Sequence, residues 1–255
     1  MTDQVDPSID ARRAVAEMAE LAGGLAHELR NPLSTMMINL KLLAEDLQDD
    51  SAHDADVRRR AIIKVDVLRQ EAERLQGLFD DFLDLTGPRK LHAMPVDART
   101  IVDRLVRFID PMARRHGIEL EVAAGDRPIL CDLDENLMDQ ALLNIAINAK
   151  EAMPDGGRLR IEASDEGDAV VIAVSDTGTG ISEAVRDRIG RPFFSTKPRG
   201  TGLGLSITRR IVEEHGGTLG IDSEPGRGTA VTIRIPRSTA DGASPGDGDD
   251  AHPRG

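Results

Sequence analysis

The sequence predicts an α+β protein in two parts: a helical hairpin that forms a four-helix bundle with a second copy, and an α/β sandwich after it. Apolar residues recur at steps of three and four over residues 18–82. After Pro95, helix-like and strand-like segments are mixed instead. The predicted segments are a flexible N-terminus (1–13), the hairpin (14–88), the sandwich domain (95–236) and a disordered acidic tail (237–255).

The hairpin is predicted from two apolar stripes. One stripe extends from Met18 to Leu47 and the other from Ile62 to Phe82, with the polar stretch 49–56 between them. Gly87-Pro88 ends the second helix. Because two stripes cannot form a dry core alone, and two hairpins can do so as a four-helix bundle, we expect a homodimer.

The sandwich is predicted from three helical segments and six strand-like ones. Their mixture favours helices on one face of a sheet whose strand pairs look antiparallel. The helices are 97–116, 134–152 and 203–215, and the strands are 118–123, 128–131, 158–164, 169–175, 218–223 and 229–235.

Composition excludes several classes of function. The 255 residues contain 32 Lys plus Arg and 45 Asp plus Glu, a net charge of −13, which disfavours nucleic acid as a partner. A lone cysteine, Cys131, excludes a disulfide framework and a multi-cysteine zinc site. No apolar run approaches the ~20 residues of a membrane span, and the N-terminus lacks the pattern of an export signal. We therefore expect a cytoplasmic protein without a membrane span.

The segment AHELRNPL (26–33) contains the first candidate for chemistry. His27 lies two residues from Leu25 and two from Leu29, so it points away from the apolar stripe. Pro32 cannot donate to the carbonyl of Glu28, so a kink is expected beside the histidine. The alternative is an ordinary solvated histidine on a charged helical face.

The segment QALLNIAINAKEAM (140–153) contains two amides on one helical face, Asn144 and Asn148. Burying amides among Leu, Ile and Ala without partners is costly. Their oxygens could hold a hydrated Mg²⁺, which needs only a few protein ligands. The alternative is that the pair caps a neighbouring loop.

Three further segments carry glycines. In SDTGTG (175–180), Asp176 ends an apolar strand, where it could accept from an amino group such as that of adenine, although the same pattern describes an ordinary turn. RPFFSTK (191–197) precedes GTGLGLSI (200–207), whose glycines lead into a helix. Free N–H groups at a helix N-terminus bind anions, and Lys197 could neutralise charge there.

The five segments occur in an order that resembles the bacterial two-component sensor histidine kinases over residues 15–236. In that order they resemble the H, N, G1, F and G2 boxes of the family, and residues 215–236 resemble the last strands of its Bergerat-type ATPase domain. The H box, with Asn31 after Arg30, is most similar to the nitrogen-regulation type.

The resemblance implies a role for each matching residue. His27 would accept the phosphoryl group, Glu28 would be its general base, and Asn31 would serve dephosphorylation of the partner. Asn148 would bind Mg²⁺, with Asn144 near it. The remaining ATP-binding residues would be Asp176, Gly178, Gly180 and Thr229 at the adenine end, and Lys197, Gly200, Thr201, Gly202, Leu203 and Gly204 in the lid over the phosphates.

The implied function is an ATP- and Mg²⁺-dependent kinase that phosphorylates His27 and transfers the phosphoryl group to the receiver domain of a response regulator. One departure is Glu151, which stands where many members carry a phosphate-binding lysine; Lys150 beside it points about 100° away. An ATPase of the same superfamily is disfavoured because Asn144 replaces the water-activating glutamate and the hairpin would have no role. A non-catalytic scaffold is the other alternative.

The signal source is not encoded in a recognisable segment. About fourteen residues precede the first predicted helix, too few for a sensor domain. The expectation is that a separate sensor protein delivers the signal, or that the chain is part of a longer kinase.

Overall fold

A computed structural model describes residues 7–48, 54–197 and 200–237. These residues divide into two compact units. The first comprises the residues up to Arg89 together with Glu183–Arg210, and the second comprises Lys90–Ser182 together with the residues from Ile211 onward. The predicted tail lies outside the described residues from position 238, as do positions 1–6 of the predicted N-terminal segment.

The first unit contains a hairpin of two long helices, α1 (Pro7–Gln48) and α2 (Asp54–Thr86). The predicted flexible segment extends to residue 13, but α1 begins at Pro7. Proline is favoured in the first turn of a helix. It continues without interruption through Pro32. Near the connection, Lys64 of α2 forms an ion pair with Asp46 of α1, and the hydrogen bond from Lys64 lowers the pKa of Asp46.

The second unit contains two sheets and the helices that cover them. Its strands and helices follow the predicted order, with one addition, β1, which the sequence did not reveal. They are β1 (Met94–Asp97), α3 (Ala98–Arg115), β2 (Ile118–Ala123), β3 (Leu130–Leu133), α4 (Glu135–Ala152), β4 (Gly157–Asp165), β5 (Ala169–Asp176), β6 (Thr218–Glu224) and β7 (Gly228–Pro236). A short helix, α5 (Glu183–Arg186), belongs to the first unit, and α6 (Gly204–Glu214) contributes residues to both units.

The larger sheet has the strand order β2-β4-β5-β7-β6. Its pairs are antiparallel except β2 with β4, which are parallel. The two consecutive strand pairs that look antiparallel in the sequence, β4 with β5 and β6 with β7, are antiparallel. β1 pairs with β3 in a separate two-stranded sheet. The fold class, a helical hairpin followed by an α/β sandwich, is confirmed.

Capping aspartates begin the two helices that contact the larger sheet. Asp97 accepts from the N–H of Arg99 at the start of α3 and from Ile129, and the hydrogen bonds from the Arg99 side chain lower the pKa of Asp97 to about 2. Asp134 accepts from Leu137 at the start of α4. The backbone N–H of Asp134 donates to Nε2 of the buried His215, whose other ring nitrogen lies 2.7 Å from the Ile211 carbonyl. His215 thereby links the start of α4 to the end of α6.

None of the helices within residues 7–48, 54–197 and 200–237 is both long and apolar enough to cross a bilayer.

Candidate functional site

His27 is exposed on α1, as its position off the apolar stripe predicts. Asn31 is also exposed, one helical turn further on the same face. The next residue, Pro32, is buried, and the Asn31 carbonyl accepts from the hydroxyl of Thr35 at 3.2 Å. The helix therefore presents an imidazole and an amide side by side to solvent.

Glu28 faces α2 rather than His27. Its carboxylate lies 3.6 Å from the guanidinium of Arg74, which also lies 3.8 Å from Glu71. All three side chains are mostly buried. In the described part of the hairpin no hydrogen bond joins Glu28 to His27. The structure therefore holds Glu28 in an ion-pair cluster between the two helices.

The second unit positions the two asparagines on α4. The opposite face of this helix is buried, which leaves Asn144 half-buried and Asn148 exposed. The adjacent Lys150 is half-buried and Glu151 is exposed. The buried residues that fix this orientation are Met138, Ala141, Leu142, Ile145, Ala146 and Ala149.

The loop after β5 lies against the end of α4. Asp176 accepts from the N–H of Gly178 at 2.8 Å, and Thr179 donates to the Ala152 carbonyl at 3.0 Å. A Cβ on Gly178 would lie 2.5 Å from that same carbonyl oxygen. Glycine is required here because the loop backbone touches the last turn of α4.

The same loop is closed from its other side by β6 and β7. Gly180 has φ +66°, and a Cβ there would lie 2.1 Å from the Glu224 carbonyl oxygen. Thr229 is the partner of Asp176 in the β5–β7 register. The structure therefore brings Asp176, Gly178, Gly180 and Thr229 together. Their role as an adenine site stays a prediction.

Ser223 is a residue of this region that the sequence did not reveal. Its hydroxyl accepts from the N–H of Ile181, donates to the Gly228 carbonyl and lies 2.9 Å from the Thr229 hydroxyl. It fastens the glycine loop to the β6–β7 turn. A serine near the end of an alternating strand carries no sequence signal for such a role.

The lid residues belong to the first unit, within residues 183–197 and 200–210, here called the lid segment. Lys197 is half-buried, and its N–H donates to the Ser195 hydroxyl at 3.1 Å. A Cβ on Gly200 would lie 2.2 Å from that hydroxyl oxygen. Thr201 accepts from the N–H of Leu203 at 3.3 Å, and α6 begins one residue later at Gly204. Gly200 and Gly202 therefore precede the helix, and Gly204 is its first residue.

Two side chains of the lid segment contact α2. The hydroxyl of Thr201 donates to Asp81 at 3.2 Å. Burial raises the pKa of Asp81, against the opposite effect of this hydrogen bond. Arg210 donates to the carbonyls of Asp84 (3.2 Å), Leu85 and Gly87 (2.7 Å) at the end of α2. The guanidinium therefore caps carbonyls that the helix itself cannot satisfy.

The described residues contain no group of three or more His, Cys, Asp or Glu that could form an all-protein metal cage. The donor set of α4 is instead neutral amide oxygens. Such hard oxygens fit Mg²⁺, which in nucleotide sites is held by one or two protein ligands, phosphates and water.

Comparison with known proteins identifies two domains. A family model for the His Kinase A (phospho-acceptor) domain matches residues 17–87. A model for the histidine kinase-, DNA gyrase B- and HSP90-like ATPase matches residues 133–239. The chain therefore contains a phospho-acceptor domain followed by an ATPase domain of the kind found in histidine kinases.

Individual relatives agree with this assignment. Sensor histidine kinase ZraS of Escherichia coli K12 is 33% identical over 88% of this chain and 47% of its own length. The crystal structure of full-length ShkA in complex with AMPPNP is 29% identical, with a TM-score of 0.63, over 87% of this chain and 46% of that one. Histidine kinase ThkA in complex with response regulator protein TrrA shares the fold, with a TM-score of 0.72 at 23% identity over 92% of this chain and 68% of that one. The chain spans about half the length of ZraS.

Proposed function

We propose that the protein is an ATP-dependent histidine kinase that phosphorylates His27 and passes the phosphoryl group to an aspartate of a response regulator. The observation that carries this proposal is the exposed His27 in a phospho-acceptor domain that an ATPase domain follows. We further propose residues 14–88 as the dimerisation and phosphotransfer hairpin and residues 95–236 as the catalytic domain.

The proposed adenine site is the loop after β5. The Asp176 carboxylate would accept from the adenine amino group, Gly178 and Gly180 would shape the pocket, and Thr229 would assist. The tight backbone packing of this loop supports the assignment, because it leaves little freedom for Asp176 to move. The AMPPNP bound to the relative ShkA supports a nucleoside triphosphate as the substrate.

The phosphates would be bound by the lid residues. Lys197 and the backbone N–H groups of residues 200–204, at the start of α6, offer positive charge and hydrogen-bond donors to an anion. Asn148, with Asn144 beside it, would hold Mg²⁺, whose charge would offset that of the triphosphate. Phosphoryl transfer depends mainly on such positioning and charge neutralisation.

In the proposed transfer, one ring nitrogen of His27 attacks the γ-phosphorus. An N–P bond forms while the bond to the β–γ bridging oxygen breaks, and ADP leaves. Glu28 would accept the proton from the other ring nitrogen. To reach the ring, Glu28 must turn away from α2 and leave its ion pair with Arg74. The N–P bond then breaks as a carboxylate oxygen of the regulator takes the phosphoryl group.

The proposed assembly is a homodimer. Large apolar side chains remain exposed on both helices of the hairpin, and a second hairpin would cover them. Asn31 after Arg30 supports a kinase of the nitrogen-regulation type. We also propose that the signal is delivered either by a separate sensor protein or by another part of a longer kinase.

The proposed kinase activity is tested with labelled ATP and mapping of the labelled residue. We expect acid-labile label on His27 of the wild type and none in the His27→Gln variant, because the variant lacks the nucleophile. Dimerisation and ATP affinity should be unchanged, since His27 is exposed and contributes to no core. Label at the wild-type level in His27→Gln would exclude His27 as the acceptor.

We propose a second activity, dephosphorylation of the regulator, with Asn31 orienting the attacking water. The variant Asn31→Ala should retain autophosphorylation and forward transfer but slow loss of phosphate from phosphorylated regulator severalfold or more. If Asn31 only satisfies a carbonyl beside Pro32, the variant should lower all three rates together. Equal dephosphorylation by wild type and variant would exclude both roles.

A further inference from the structure

Gly24 of α1 lies directly against the ring of Phe193 in the lid segment. A Cβ on Gly24 would lie 2.3 Å from Cδ2 of the ring and 2.8 Å from two further ring atoms. Both residues are half-buried and belong to the same unit. The neighbouring Gly23 is exposed and has no atom within 4 Å of its corresponding position. Of these two glycines, therefore, only Gly24 leaves the space that an aromatic ring occupies.

Both partners of this contact are unfavourable as local structure. Glycine in a helix interior is destabilising relative to alanine. Phe193 has φ +61°, which makes it the one non-glycine residue with positive φ in the described part of the chain. A bulky side chain at such a φ persists only where its surroundings impose it. The helical glycine and the phenylalanine with positive φ meet at one contact. This coincidence indicates that both residues are present because of the contact.

The backbone of Phe193 is braced by the glycines that precede α6. A Cβ on Gly202 would lie 2.6 Å from the Phe193 carbonyl carbon and from the Phe194 nitrogen. The Phe194 ring is in turn held by the Arg188 guanidinium, 4.1 Å from the ring centroid. The position of the Phe193 ring is therefore coupled to the loop that carries the proposed phosphate-binding residues.

The contact lies beside the proposed acceptor. Gly24 and His27 are three residues apart and are neighbours on the helix surface. A lid segment that docks with Phe193 on Gly24 is thus fixed about one helical turn from the imidazole. The hydrogen bond from Thr201 to Asp81 provides a second attachment, to α2.

We propose that Gly24 is a positioning residue, and that docking of Phe193 on it holds the lid segment at the phosphoacceptor helix during phosphoryl transfer to His27. This inference rests on the proposed function, because it requires His27 as the acceptor. Neither Gly24 nor Phe193 touches the reacting atoms. Their effect is on the orientation of the donor and acceptor groups, to which transfer rates are highly sensitive.

The test compares Gly24→Ala with Gly23→Ala in the 255-residue chain. Gly24→Ala should lower kcat for autophosphorylation at least tenfold, because the added methyl moves the Phe193 ring off α1. It should leave KM for ATP within twofold, because the packing of Gly202 against the Phe193 backbone lies within the lid segment and moves with the ring. Gly23→Ala should remain within twofold of the wild type in both constants. Both substitutions place alanine in a helix, so neither should lower the melting temperature of the hairpin.

A double-variant cycle identifies the ring as the partner. Phe193→Ala alone should lower kcat to a similar degree. Adding Gly24→Ala to Phe193→Ala should cause no further loss, because no ring remains to be displaced. Losses that multiply in the double variant would overturn the proposal.

Hydrogen exchange supplies a readout that does not depend on activity. Amides of residues 189–196 should exchange faster in Gly24→Ala than in the wild type and Gly23→Ala, as expected of an undocked lid segment. If the wild type labels His27 and Gly24→Ala matches Gly23→Ala or is faster, the positioning role is overturned and the kinase function stands. If the wild type incorporates no label at His27, the proposed function fails and the positioning role fails with it.

Discussion

The helical hairpin leaves large apolar side chains exposed, whereas the five-stranded sheet buries them. Ile62 of α2 is 55% exposed and Met37 of α1 is 67% exposed, whereas Ile172 on the central strand β5 is 1% exposed. The sheet and its helices therefore bury their core within one chain. The hairpin leaves large apolar surface that a second hairpin would cover. The stability of the sheet therefore depends on packing within one chain, whereas that of the hairpin depends on association with a second copy.

The largest expected effect is a loss of stability from the sheet. Ile172→Ala should lower the free energy of unfolding by about 2–5 kcal/mol, because it removes a fully buried side chain and leaves a cavity. Denaturant unfolding would measure it, and the loss should be the same at all protein concentrations. A loss that depends on protein concentration would show that the sheet is also stabilised by association. That result would contradict the difference between the sheet and the hairpin.

The next effect is expected in association through the hairpin. Ile62→Asn should raise the dimer dissociation constant at least tenfold, because the side chain is buried twice in a symmetric dimer. Sedimentation over a concentration series would measure it. The matched control is Phe108→Asn, since Phe108 on α3 is 69% exposed but lies outside the hairpin. Equal weakening by both variants would mean that the apolar stripe is not the dimer surface.

The smallest effect concerns the cap of α3. Asp97→Ala should cost about 0.5–2 kcal/mol at pH 7, the usual cost of losing a helix N-cap. The pKa of Asp97 is about 2 in the folded protein against 3.8 ordinarily, so its contribution is complete above pH 3.8 and is lost as the pH falls toward 2.

Denaturation curves at pH 7, 4 and 2.5 should therefore converge for wild type and Asp97→Ala as acid is added. Asp126→Asn is the control, because Asp126 is exposed and its hydrogen bond from Arg99 goes to its backbone carbonyl, which the substitution retains. A gap between wild type and Asp97→Ala that is constant with pH would exclude the ionised carboxylate as its source.

Local patterns predicted much of the fold and part of the site. The period of three to four residues predicted both long helices and placed His27 on the exposed side of α1. The strand before Asp176 and the glycines before α6 were predicted because each depends on neighbours in sequence.

Features that depend on distant partners were not predictable. The parallel pairing of β2 with β4 joins two strands that β3 and α4 separate in the chain, so no local pattern reports it. β1 was missed because it is four residues long and contains Pro95, which disfavours a strand. Gly24 looked like any helix-weakening glycine, since nothing local links it to a phenylalanine 169 positions later.

The cap that Arg210 places on the end of α2 has a consequence for synthesis of the chain. Its guanidinium donates hydrogen bonds to carbonyls 123 to 126 residues earlier in the chain. At about 5–20 residues per second, a ribosome needs roughly 6 to 25 s to extend the chain that far. Throughout that interval the last turn of α2 exists without its cap. The hairpin thus emerges first with a frayed end, and that end becomes fully bonded only when most of the ATPase domain has been made.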